Sequence, residues 1–212
     1  SMGFEPEAIT AAYSGSVQGL EAAALDVGTV SDLPGIDRTS GEILELQPHG
    51  GADLTGKIAL VEGLPGPEAA WVLEKMGAAA AVFINPRERL NELITTTVWG
   101  TPSGRSAHRV PSLPVAQVQA SDGERLRALA SSGSTLRLDI STETGWKELR
   151  LAVARIDPPD VEDAPYVLLG GHIDSWYYGA TDEGASNAAM VELATAFWAE
   201  RSSLRRGLVV AW

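Results

Sequence analysis

A histidine and two aspartates stand close together in residues 170–190, which read GGHIDSWYYGATDEGASNAAM. Asp174 lies two residues after His172, and Asp182 lies ten residues after it. A neutral imidazole is a good zinc ligand, and carboxylate oxygens bind zinc at about 2.0–2.2 Å. Because a carboxylate has two oxygens it can bridge two metal ions, and paired metals suit hydrolysis. The residue types are compatible with a metal site in which His172 and Asp182 are ligands and Asp174 holds the other ring N–H of His172.

The same three residues also have a simpler interpretation. A His-x-Asp pattern occurs often by chance, and a carboxylate such as Asp182 is favourable near a helix N-terminus for its charge alone. The spacing therefore leaves both interpretations open. The other two histidines, His49 and His108, lie in polar, turn-rich segments, where we expect them to be solvated.

The segment that carries these residues lies between a predicted strand and a predicted helix. YVLLGG (166–171) is a continuous apolar strand pattern, the following sequence predicts a helix over 186–202, and GLVVAW (207–212) predicts a second buried strand. This order suits a right-handed parallel βαβ unit. Ligand sites gather at the carboxyl ends of parallel strands, which is where His172 lies.

Two further features of this part of the chain are predicted. ELRLAVARI (148–156) alternates in polarity, and we expect it to pair with 166–171 as an antiparallel hairpin across an acidic, proline-rich turn. The helix is expected to present an apolar stripe formed by Val191, Ala194, Phe197 and Trp198.

The upstream region, residues 56–146, alternates strand and helix patterns. GKIALVEG (56–63) and AAAAVFIN (78–85) read as buried strands, and PEAAWVLEKMG (67–77) between them reads as a helix. Three further elements follow, an extended segment at 110–118, a helix at 121–133 and an alternating strand at 135–142. The fold class is therefore predicted to be α/β.

Composition excludes several classes of protein. The chain has 212 residues, 44% of them hydrophobic, with a formal net charge of −12 and no cysteine. A nucleic-acid-binding surface would need a basic patch, and disulfides and thiolate metal sites need cysteine. No stretch approaches the roughly 20 apolar residues of a membrane span, and the first residues show no basic-then-apolar secretory leader.

GGHIDSWYYGATDEGASNAA closely resembles the first metal motif of the co-catalytic zinc aminopeptidases. That family includes glutamate carboxypeptidase II, plasma glutamate carboxypeptidase and a non-enzymatic relative, the transferrin receptor. The matching features are Gly-His-x-Asp-Ser-Trp, then Gly-Ala-x-Asp, then a helix start of small residues. By this resemblance His172 is a ligand of one zinc, Asp182 bridges two zinc ions, and Asp174 orients His172.

The upstream elements resemble the protease-associated (PA) domain that interrupts many of these peptidases. The similar segments are DLTGKIALVEG, AAWVLEKMGAAAAVFIN, VPSLPVAQV and DGERLRAL, in the family's order. We therefore expect a PA domain over 8–146 and the N-terminal part of a zinc peptidase domain, incomplete, over 147–212.

The sequence also departs from the family pattern. In the family, the strand resembling GLVVAW is followed by a glutamate pair, one the general base and the other a zinc ligand, with further ligands downstream. This chain ends at Trp212, and its other glutamates nearby are expected to be solvated or loop residues: Glu183, Glu192 and Glu200. We therefore expect a fragment that is inactive by itself, holds no tightly bound zinc and self-associates through exposed apolar surface.

The resemblance implies a full-length zinc exopeptidase, aminopeptidase-like, that hydrolyses a peptide substrate with a water activated by two zinc ions. It also favours a secreted or cell-surface location. One alternative is a non-catalytic binding protein of the transferrin-receptor kind, which retention of His172, Asp174 and Asp182 argues against. A second alternative is a stand-alone PA interaction module.

Overall fold

The computed structural model of the protein describes residues 3–37, 53–98, 102–176 and 178–212. His49 lies outside the described residues. The chain divides into two compact units, Ser1–Thr144 and Gly145–Trp212. The α/β class predicted from the sequence is confirmed, whereas the predicted domain limits stay a prediction.

The first unit is built on a six-stranded mixed sheet. Its strands are β1 (Ala8–Thr10), β2 (Val17–Thr29), β3 (Ile58–Glu62), β4 (Ala80–Ile84), β5 (Val115–Val118) and β6 (Thr135–Ile140), and its α-helices are α1 (Pro67–Lys75) and α2 (Ala120–Ser131). The strand order is β1-β5-β4-β3-β2-β6. The four inner strands run parallel, and the edge strands β1 and β6 pair antiparallel with their neighbours. The predicted strand–helix–strand unit is β3-α1-β4, which confirms that prediction.

The inner strands of this sheet are buried on both faces. On one face α1 packs Ala70 and Leu73 into a cluster with Phe83 of β4, and on the other α2 packs Leu126 against Ile84. Parallel strands covered by helices on both sides need apolar residues at every position. This explains why β3 and β4 read as continuous apolar runs.

The second unit contains a three-stranded sheet and one long helix. Its elements are β7 (Val153–Ile156), β8 (Tyr166–Gly170), α3 (Ala185–Ala199) and β9 (Gly207–Ala211). Strands β8 and β9 pair in parallel and are joined through α3, as predicted. The predicted hairpin between β7 and β8 is wrong, since β9 lies between them and pairs antiparallel with β7. The connection over 157–165 is too long for a tight hairpin turn. Within this unit β9 is more buried than β7 or β8, as suits the central strand of the sheet.

Helix α3 covers this sheet with a different face from the one predicted. Met190 is buried, and Ala194 packs beside it against the sheet. Three members of the predicted stripe are exposed, with relative accessibilities of 52% for Val191, 39% for Phe197 and 55% for Trp198. Because α3 carries apolar residues around most of its circumference, the sequence pattern does not specify which side packs. The predicted self-association stays a prediction.

Among the described residues, no helix has both the length and the apolar character that crossing a membrane requires.

Gly123 offers a test of the packing between α2 and β4. A Cβ at this position would overlap the Cγ2 atom of Ile84. Alanine favours a helix by about 1 kcal/mol over glycine, so propensity alone predicts that Gly123→Ala stabilises. We expect the opposite, a free energy of unfolding lowered by about 1–3 kcal/mol, because the core is overpacked. Urea unfolding followed by circular dichroism measures it.

The control for this prediction is Glu124→Ala, one position along the same helix. Glu124 is exposed, so its replacement should change the free energy of unfolding by less than about 0.5 kcal/mol. A stabilising Gly123→Ala would show that α2 does not pack this closely on β4.

Candidate metal centre

The predicted site residues lie in one irregular segment between β8 and α3. Strand β8 ends at Gly170, His172 follows two residues later, and Asp182 precedes the start of α3. Strands β8 and β9 are parallel, so this segment emerges from the carboxyl end of the sheet, where α/β folds place ligands.

The imidazole of His172 is held through one nitrogen. Its Nδ1 lies 2.7 Å from the main-chain carbonyl oxygen of Asp174 and 3.2 Å from the Oδ1 atom of that residue. Since a carbonyl oxygen can only accept, Nδ1 carries the proton that it donates. The sequence predicted a carboxylate partner here, but the main-chain oxygen is the closer one. The neutral ring therefore keeps the lone pair on Nε2.

That second nitrogen faces two carboxylates. The Nε2 atom of His172 lies 3.6 Å from Oδ1 of Asp182 and 3.5 Å from Oε1 of Glu183. The other Asp182 oxygen, Oδ2, accepts the N–H of Trp176 at 2.5 Å. Sequence reasoning missed Glu183, which it assigned to solvated or loop residues. The structure therefore brings all three predicted site residues together and adds a fourth.

Unusual backbone geometry accompanies these carboxylates. Glu183 adopts a left-handed conformation, with φ of 67° and ψ of −9°, and Asp182 has φ of −91° and ψ of 76°. A non-glycine residue held in the left-handed region costs about 1–3 kcal/mol, and such residues concentrate at functional sites. The turn directs both carboxylates to the same side, towards His172.

The surroundings of His172 favour a positive charge on its ring. The hydrogen bond to the Asp174 carbonyl oxygen raises the pKa of His172 above its ordinary value. The negative charges of Asp174, Glu183 and Asp182 raise it further, against the opposing effect of desolvation. Three carboxylates around one imidazole favour a positive charge there, whether a proton or a metal ion carries it.

The donors fit zinc in type and spacing, but not in number. Two ligand atoms about 2.0–2.1 Å from a tetrahedral zinc lie roughly 3.4 Å apart, close to the 3.6 Å between His172 Nε2 and Asp182 Oδ1. Zinc normally takes three or four protein ligands. Throughout the described ranges, no group of three or more histidine, aspartate or glutamate side chains is arranged to hold a metal. His172 and Asp182 thus fit part of a zinc site, and their roles as ligands stay a prediction.

His108, which the sequence analysis assigned to a solvated loop, lies in the first unit. His108 is exposed, and its ring centroid is 6.5 Å from that of Trp71 in the first unit. This agrees with its prediction as a solvated loop residue.

Two family models match the chain. The model of the PA domain matches residues 17–126, and the model of peptidase family M28 matches residues 152–212. The chain carries a PA domain, and its residues 152–212 are similar to peptidase family M28. The matches confirm both resemblances drawn from the sequence, and the M28 match contains the whole candidate centre.

Curated relatives match over a short region of this chain. The glutamate carboxypeptidase 2 homologs of Caenorhabditis elegans and Caenorhabditis briggsae are each 31% identical to it over 65 residues. These 65 residues are 31% of this chain and 8% of each relative. The chain therefore matches only a small part of the curated relatives.

Solved structures of bacterial aminopeptidases share the fold. BSAP, a zinc aminopeptidase from Bacillus subtilis, aligns with a TM-score of 0.66 and 22% identity over 100% of this chain and 46% of its own. The aminopeptidase from Aneurinibacillus sp. strain AM-1 aligns with a TM-score of 0.57 and 20% identity over 97% of this chain and 45% of its own. The chain spans less than half the length of either structure.

The strained turn allows a stability test that is independent of metal. In metal-free protein we expect Glu183→Gly to raise the free energy of unfolding by about 1 kcal/mol, because glycine adopts the left-handed conformation without strain. The matched control is Glu192→Gly, at an exposed position inside α3, which should lower the same quantity by roughly 0.5–1 kcal/mol. Urea unfolding measures both. Equal destabilisation by the two substitutions would show that Glu183 is not strained.

Proposed function

We propose that this chain contributes the first part of the active centre of a longer, two-zinc exopeptidase of the aminopeptidase type. The match of residues 152–212 to peptidase family M28 supports the reaction class, hydrolysis of a peptide bond. The similarity to aminopeptidases that span about twice the length of this chain supports the view that it is part of a larger enzyme. The substrate is a peptide cleaved near one terminus.

One observation carries this proposal. The Nδ1 atom of His172 is held by the Asp174 carbonyl oxygen while Nε2 faces the carboxylate of Asp182 at 3.6 Å. Metal-binding histidines donate one ring N–H to a carbonyl or carboxylate oxygen and bind the metal through the other nitrogen. His172 has the first of these contacts, and the Asp182 carboxylate lies where it could share a metal with Nε2. His172 lies at the carboxyl end of β8, in the segment that matches the M28 family.

The proposed division of work follows from these contacts. His172 Nε2 and the Asp182 carboxylate hold zinc, which when bound supplies Lewis acidity for peptide hydrolysis. Asp174 fixes the ring tautomer and orientation of His172. Each carboxylate oxygen has two lone-pair sites, so Asp182 can accept the Trp176 N–H and still bind a metal through the same oxygen. That hydrogen bond fixes the side-chain rotamer of Asp182.

The remaining parts of the active centre are proposed to lie beyond these residues. His172 and Asp182 are too few to complete even one zinc site. The family resemblance implies that the general base and another ligand are a glutamate pair after the strand that β9 represents. The proposal therefore assigns neither of these roles to Glu183, Glu192 or Glu200.

The two aspartates should differ in importance in the full-length enzyme. We expect Asp182→Asn to abolish measurable activity on aminoacyl-nitroanilides, because by the family resemblance Asp182 would serve both metals. Asp174→Asn should cost about 10–100-fold or less, because the main-chain carbonyl oxygen remains 2.7 Å from the ring. The readout is kcat/KM together with zinc per chain. Equal losses at equal zinc content would contradict the assigned roles, and full activity of Asp182→Asn would contradict the proposed centre.

The 212-residue chain and the full-length protein should differ in zinc content. After dialysis we expect the shorter chain to hold no stoichiometric zinc, since His172 and Asp182 supply fewer ligands than zinc needs. The full-length protein should retain two ions per chain, lost on His172→Ala. Elemental analysis measures both. A full-length protein without zinc would favour the non-catalytic alternative, and one tightly held zinc in the shorter chain would mean that its described residues complete a site.

A further inference from the structure

Helix α3 places an amide side chain against the main chain of His172. Asn187, in the first turn of α3, donates from Nδ2 to the carbonyl oxygen of His172 at 2.8 Å. Its other polar atom, Oδ1, is buried and accepts no hydrogen bond from the described residues. If the side-chain amide of Asn187 were rotated by 180°, its Oδ1 atom would face the carbonyl oxygen of His172, and two acceptors cannot share a hydrogen bond. The Nδ2 group of Asn187 is therefore the donor in this contact.

Asparagine is an unfavourable choice at this position for stability alone. It is a poorer helix former than alanine or leucine, and its buried Oδ1 atom carries the desolvation cost of an acceptor without a partner. What Asn187 contributes in return is one hydrogen bond, made to the residue that faces Asp182. We propose that Asn187 is a positioning residue that fixes the main chain of His172 for metal binding. The proposal rests on the proposed function of His172 as a zinc ligand.

The helix that carries Asn187 is firmly packed. Met190, one turn further along α3, is buried against the sheet of the second unit. Gly171 lets the end of β8 come close to this helix, because a Cβ there would lie 3.0 Å from both Asn187 Oδ1 and Met190 Cε. The carbonyl group of His172 is therefore held at a set distance from a rigid element.

Two contacts together hold the segment that carries the imidazole. Asn187 holds the carbonyl group of His172 at the start of the segment, and Asp182 accepts the N–H of Trp176 at its end. Removing the Asn187 contact releases the His172 end of this segment, whereas the Trp176 end stays bound to Asp182. The His172 ring then loses its set position relative to the Asp182 carboxylate.

The test compares Asn187→Ala and Asn187→Leu with Ser186→Ala in the full-length protein. Leucine approximates the size of asparagine without its donor, and Ser186 is an exposed neighbour in the same turn. We expect the zinc dissociation constant, measured by chelator competition, to rise about 10–100-fold in both Asn187 variants and to stay unchanged in Ser186→Ala. The unfolding midpoint of the metal-free variants should not fall, because alanine and leucine are better helix formers. Wild-type zinc affinity in both Asn187 variants would overturn the proposal.

A second measurement does not depend on zinc. Nitrogen NMR of the metal-free protein with labelled histidine, at a pH where the ring is neutral, reports which nitrogen carries the proton. His172→Ala assigns the resonances. Wild type and Ser186→Ala should show one tautomer, with the proton on Nδ1, and both Asn187 variants a mixture. The single tautomer in every variant would overturn the positioning role. A wild-type protein that binds no zinc would instead overturn the proposed function, and this measurement would still decide the role of Asn187.

Discussion

The hydrogen bond between the His172 ring and the main-chain carbonyl oxygen of Asp174 is the contact on which the candidate centre depends. It determines which ring nitrogen carries the proton, and therefore which nitrogen can bind a metal. Since the acceptor is a main-chain atom, the position of the ring depends on the path of the loop. The contacts of Asn187 with His172 and of Asp182 with Trp176 set that path.

The scaffold behind this loop is a simple parallel βαβ unit. Strands β8 and β9 end at the same edge of their sheet, and α3 packs across it through Met190. The segment after β8 enters α3 through a turn at Asp182 and Glu183, in which Glu183 has a left-handed conformation. Among the described residues of this loop, the non-glycine residue with strained backbone is Glu183, which carries one of the carboxylates, as is common where a fold serves a site.

Sequence patterns predicted the presence of strands and helices better than they predicted which strands pair in a sheet. The apolar runs of β8 and β9 were readable, but the position of β9 between β7 and β8 depends on which strand buries most surface. No strand was predicted over Val17–Thr29, where Gly19 and Gly28 have positive φ and interrupt the alternation. The contact of Glu183 with His172 could not be predicted from the sequence either, because the left-handed backbone conformation of Glu183 decides where its side chain points. Asn187, a poor helix former in the first turn of α3, was a readable signal.

The most direct test of this account is anomalous diffraction at the zinc edge from crystals of the full-length protein. We expect a zinc peak about 2.0–2.2 Å from both His172 Nε2 and the Asp182 carboxylate, with Asp174 still accepting from Nδ1. A second peak should lie about 3.5–4 Å from the first, with Asp182 between the two. Zinc bound away from His172, or no zinc while Asp182 contacts only Trp176, would contradict the central claim.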